Sequence, residues 1–97
     1  MRHFHRTHIT PAQVIELADR FFPALGLTAA ERADRARVFA GPLGTMKLSV
    51  RPEGGHYTLI EVHTDQIDQS RLDRNVKAFF VEVHRTADPS HTIQADY

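Results

Sequence analysis

The strongest periodic signal lies towards the C-terminal end of the chain. Leu72, Val76, Phe79, Phe80, Val83 and Ala87 fall on one arc of about 100° at helical spacing, and Arg71, Arg74, Asn75, Ala78, Glu82 and Arg85 lie outside it. Ser70 supplies an N-cap oxygen three residues before Asp73, and Asp73 and Lys77 form an (i, i+4) pair with the acid on the N-terminal side, the favourable order. The spacing predicts a helix from Ser70 to about Ala87, ahead of Asp88-Pro89. A second helix is announced by Thr10-Pro11-Ala12-Gln13, which combines a capping box with proline at the first helical position. Val14, Ile15, Leu17, Ala18, Phe21 and Phe22 then share an arc of roughly 160°, broad enough to cover a sheet. Pro23 lacks the amide that would bond to Asp19, so this helix ends near Phe22, with Gly26 closing the segment.

Elsewhere the period is two. Met46, Leu48 and Val50 alternate with Lys47, Ser49 and Arg51; beyond Pro52-Glu53-Gly54-Gly55, Thr58, Ile60 and Val62 alternate with Tyr57, Leu59, Glu61 and His63. An odd loop, Glu53-Gly54-Gly55, puts Val50 opposite Thr58, Leu48 opposite Ile60, Met46 opposite Val62 and Lys47 opposite Glu61, which gives one coherent core face. Residues 36–40 read as a strand entering the turn Gly41-Pro42-Leu43-Gly44. Residues 2–9 alternate loosely, with His3, His5, Thr7 and Ile9 on one side and Phe4, Arg6 and His8 on the other. Residues 28–37 are ambiguous: Thr28-Ala29-Ala30-Glu31 is a capping box, yet a helix there buries nothing larger than alanine. The expectation is an α+β fold in β-α-β-β-β-α order: an antiparallel sheet of three to four strands with both helices packed on one face, and residues 1–97 as a single domain. Residues 88–97 read as a flexible tail.

Composition narrows the chemistry. The 97 residues are 41% apolar and carry 12 basic and 12 acidic side chains, so no general excess of cations exists to neutralise phosphates, and a nucleic-acid partner is not expected. With no cysteine, disulfides, thiolate catalysis and Cys-ligated metals are excluded. No apolar run approaches the ~20 residues of a membrane helix. The opening Met1-Arg2-His3-Phe4-His5-Arg6-Thr7-His8 is polar where a leader would be apolar, which predicts a cytoplasmic address.

Seven histidines are many for this length. His3 and His5 point the same way from a strand, the presentation neutral imidazoles use to hold zinc or copper, with a third ligand to be found among His56, His63, His84 or His91. The blander account, polar residues on an exposed strand, competes with it. Glu61 and His63 invite general acid–base chemistry, but i and i+2 on a strand stand ~7 Å apart. Ser49, Ser70 and Ser90 have no nucleophile-elbow context, and the glycine pairs read as turns without phosphate-binding spacing. No catalytic constellation emerges and no cofactor is implied. The outer sheet face stands out instead: Phe39, Tyr57 and Leu59 lie there among Arg37, Lys47, Arg51, Glu61 and His63, the mixture of a partner surface.

The opening His5-Arg6-Thr7-His8, the helix after it, the Gly41-Pro42-Leu43-Gly44 turn and the closing Leu72-Asp73-Arg74-Asn75 helix together resemble small bacterial proteins, and the element order is similar to that of the polyhydroxyalkanoate-granule-associated small proteins and of a shortened helix-grip (START-like) domain. The full helix-grip fold has more strands and encloses an apolar cavity, and the resemblance supplies no catalytic residue. Two functions follow as expectations. The first is a non-enzymatic self-association or protein-interaction module, a homodimer joined through Phe39, Lys47, Tyr57, Leu59, Glu61 and His63 or through the strand edge beside them. The second is a carrier of an apolar, lipid-like ligand, its pocket lined by Phe21, Phe22, Phe79 and Phe80.

Overall fold

A computed structural model describes residues 1–88. Residues 89–97, which hold His91, Ser90 and all of the expected tail but Asp88, lie outside the described part. The fold is α+β, with strands β1 (Arg2–Thr7), β2 (Thr28–Ala33), β3 (Ala36–Gly41), β4 (Gly44–Glu53) and β5 (Tyr57–Thr64). Helix α1 (Pro11–Phe21) follows β1, and α2 (Arg71–Ala87) follows β5. All strand pairs are antiparallel, in the order β1-β5-β4-β3-β2. Both helices pack on one face of the sheet.

The helix ends are built as their sequences dictate. Thr10 Oγ1 accepts from the Gln13 amide at 3.2 Å, and Gln13 Oε1 accepts in return from the Thr10 amide at 2.8 Å. Pro23–Leu25 tighten into a 3-10 turn, and Gly26 closes it at φ 89°, in the left-handed region. Ser70 Oγ accepts from the Asp73 amide at 3.1 Å and starts α2.

Residues 28–33 form a fifth strand, one more than expected. A helix at this point has no apolar face to bury, whereas β2 pairs its main chain with β3 and turns Ala29 towards the core. A bulge falls between Ala29 and Glu31.

The β4–β5 hairpin also departs from expectation. Glu53 stands opposite Tyr57, so the three-residue loop is Gly54-Gly55-His56, with both glycines at positive φ (63° and 76°). The ladder is shifted by two residues: Val50 faces Ile60, Leu48 faces Val62 and Met46 faces Thr64. A two-residue shift preserves parity, so the core face is the expected one while every cross-strand partner changes. Lys47 faces His63, and Glu61 faces Ser49.

Phe39 is a correction of face. It was expected on the outer side, but it stands opposite Met46 on the helix side and is completely buried. Its ring packs 5.3 Å from that of Phe22, which lies 5.0 Å from Phe79. Arg37 shares that side because Asp19 of α1 receives its guanidinium in two bonds, Nε to Oδ1 at 3.0 Å and Nη2 to Oδ2 at 3.2 Å. Close approach explains Gly41, where a Cβ would meet the Gly26 carbonyl oxygen at 2.7 Å.

Candidate functional site

Strand β1 joins two surfaces of unlike character. Its odd-numbered side chains, His3, His5 and Thr7, point to the helix side of the sheet, and its even-numbered ones, Arg2, Phe4 and Arg6, to the side that α1 and α2 leave uncovered.

The helix side is a polar seam. Asp73, in the first turn of α2, is fully buried, and its carboxylate accepts from His3 Nε2, from the Gln69 amide at 3.0 Å and from Lys77 Nζ at 3.1 Å. Burial alone would raise its pKa; the Gln69, Lys77 and His3 hydrogen bonds outweigh that and lower it to about 2. Gln69, just before the cap, takes a left-handed φ of 67°, which aims its amide at the carboxylate. His5 stacks on Phe80 with ring centroids 5.0 Å apart and planes 13° apart. Burial, and next the nearby His84, lower its pKa. Its Nε2 is buried and has no hydrogen-bond partner among the described residues. The sequence pattern places Asp73 three residues after the Ser70 cap and in a pair with Lys77, and does not predict its burial. The signal available was a polar and aromatic stripe, Asp73, Lys77, Phe80 and His84, running beside the apolar arc at helical spacing.

The uncovered side is open and mixed. Phe4 is 52% and Tyr57 45% exposed, while Leu59 is buried between its cross-strand neighbours Arg6 and Arg51. Arg6 reaches Glu53 Oε1 through Nη2 at 3.1 Å and Nε at 3.2 Å. The Arg2 guanidinium lies 5.6 Å from the Phe4 ring centroid and 3.6 Å from Glu61. His63 Nε2 lies 2.7 Å from Glu61 Oε1: side chains leaning along the strand close the gap that backbone spacing alone leaves open. That hydrogen bond, with the charge of Arg2, holds the Glu61 carboxyl below its ordinary range. Of the residues expected at a partner surface, Lys47, Tyr57, Leu59, Glu61 and His63 lie on this side, Phe39 does not, and Phe4 joins them.

His3 and His5 do share a side of β1, but His3 commits Nε2 to Asp73. His63 is on the opposite face, His56 is in the hairpin loop, and no group of three His, Asp or Glu placed to hold a metal occurs among the described residues. The four phenylalanines expected to line one pocket occupy three environments. Phe22 and Phe79 are fully buried against each other, and Phe80 lies under His5. Phe21 borders an open groove of about 500 Å³ between the helices with Leu17, Leu25 and Glu82. No helix among the described residues is long and apolar enough to cross a membrane.

No protein-family model matches the chain, and no curated protein matches it.

Proposed function

We propose that the protein is an association module that binds a second copy of itself through the side of the sheet its helices leave uncovered or through the β1 edge that borders it. The observation that carries this reading is the exposure of Phe4 and Tyr57 on that side, around a Leu59 that is already buried. Exposed aromatic rings around a small apolar centre, framed by charge, are the composition of a contact surface. The charges are mixed: Arg2, Arg6, Lys47 and Arg51 stand with Glu53 and Glu61, so two copies meet without a uniform field of one sign. Sedimentation velocity tests the reading. The 11.0 kDa chain is expected to run at twice its mass, and Tyr57→Glu combined with Phe4→Glu, both at exposed positions, is expected to return it to the monomer with its circular dichroism retained. A wild-type chain that stays monomeric at every accessible concentration refutes the reading.

A further inference from the structure

Among the described residues the sheet has two free edges, and they differ. Strand β2 is interrupted by its bulge between Ala29 and Glu31, a device that turns an edge away from further pairing. Strand β1 pairs with β5 without interruption from Arg2 to Thr7. Its hydrogen-bond parity is fixed by its first residue: Met1 and Thr64 exchange both main-chain bonds, at 2.8 and 2.9 Å. Antiparallel pairs alternate, so His3, His5 and Thr7 bond to β5, while Arg2, Phe4 and Arg6 direct their amides and carbonyls to the free edge. An extended chain is the ligand that satisfies such a row.

The sequence of the strand indicates which extended chain. Arg2-His3-Phe4-His5-Arg6 reads identically in both directions. We infer that a second copy adds its β1 antiparallel to this edge, centred on Phe4, so that two five-stranded sheets become one of ten strands. This deepens the self-association reading and rests on it. A two-fold axis through Phe4 pairs each outward-bonding residue with another: Phe4 with the partner subunit's Phe4, Arg2 with the partner subunit's Arg6, and the reverse. Roughly six main-chain hydrogen bonds form, and two exposed Phe4 rings meet on the uncovered face. The facing arginines are not bare cations, because Glu61 lies 3.6 Å from Arg2 and Glu53 3.1 Å from Arg6. On the helix side the same register sets His5, whose Nε2 is buried without a partner among the described residues, across from the partner subunit's His3.

Amide hydrogen exchange by NMR on the full chain, at concentrations where sedimentation shows monomer and dimer, tests the pairing. The Phe4 and Arg6 amides are expected to slow by at least about tenfold on association, and the His3 and His5 amides, already in the ladder, to stay protected in both states. A dimer in which the Phe4 and Arg6 amides exchange as fast as in the monomer overturns the edge pairing and leaves the self-association reading standing. A chain that never associates overturns both. Protection of Phe4 only by an added strand-forming peptide, at constant monomer mass, assigns the edge to a foreign strand and also overturns the inference. Because the chain has no cysteine, cross-linking gives an independent check. Phe4→Cys is expected to oxidise readily to a disulfide-linked dimer, since paired Cα atoms stand about 5.5 Å apart, within disulfide reach. Ser49→Cys, on the uncovered face away from the edge, is expected not to; the reverse pattern places the contact on the face and refutes the edge.

Discussion

Replacing Asp73 with asparagine removes one charge from the seam and changes little else in shape. The carboxyl is held at about 2 against an ordinary 3.8. Each unit of such a difference is worth ~1.4 kcal/mol, so ionised Asp73 contributes about 2 kcal/mol to folding at neutral pH. Its folded pKa is depressed, so this contribution is complete above the unfolded value of 3.8 and is lost as pH falls towards about 2. Urea unfolding followed by far-ultraviolet circular dichroism reads it directly. With a slope of ~1–1.5 kcal/mol per molar for a chain of this size, Asp73→Asn is expected to lower the midpoint by ~1–2 M at pH 7. The two unfolding curves then converge below pH 4 and meet near pH 2. Asp73→Ala costs more, because the Gln69 amide also loses its acceptor. Equal stability of wild type and Asp73→Asn at pH 7, or a gap that persists unchanged at pH 2, would show that the charge of Asp73 does not stabilise the seam.

His5 acts in the same sense at higher pH, because there the fold penalises the charged form. Its pKa is lowered from 6.5, so the unfolded chain takes up the proton first and wild-type stability falls as pH drops below 6.5. His5→Phe is expected to flatten that slope in urea titrations at graded pH, and an unchanged slope assigns it to another group. The aromatic residues rank by burial: Phe39→Ala and Phe79→Ala are each expected to cost ~3–5 kcal/mol, and Phe80→Ala, only partly buried, distinctly less. Equal losses at Phe79 and Phe80 in equilibrium unfolding would contradict the packing described. Phe39→Ala leaves the sedimentation mass unchanged wherever the weakened chain still folds, because the residue is interior.

The two helices were legible because their signals are local: both caps are read within four residues, and each apolar arc needs no knowledge of what it packs against. Strand faces were legible between Met46 and Val62, where alternation is strict, but pairing was not. Odd loops of either placement give the same faces, and the choice depends on whether Glu53 or His56 joins Gly54-Gly55 in the turn. Phe39 escaped because Val38, Phe39 and Ala40 form an unbroken apolar run with no parity of its own. The residue that fixes it is Arg37, whose side is set by Asp19, eighteen positions away. Residues 28–33 favour helix by composition and become a strand because β3 offers a partner for the main chain. The His3–Asp73 contact spans seventy positions, beyond the reach of any local pattern, although each half was in view.

What holds β1 to the body of the protein decides what its free edge presents. Its inward residues are His3, His5 and Thr7, none of them aliphatic, so apolar volume does little to select its register. Polar contacts do. The N-terminal amine donates to the Thr64 carbonyl at 2.9 Å and to that of Gln66 at 3.2 Å; His3 reaches buried Asp73; and Thr58 Oγ1 donates to the Ile9 carbonyl beyond the strand at 2.6 Å. A slip of two residues keeps the faces but takes His3 from Asp73 and leaves a buried carboxylate short of a donor. A slip of one turns Arg2, Phe4 and Arg6 inward and exchanges the amides at the edge. The seam therefore fixes which residues the edge offers to a second strand, and the two faces of β1 are coupled. Protonation of His5 places a charge beside Phe80 and near His84 and disfavours the docked strand on its helix side.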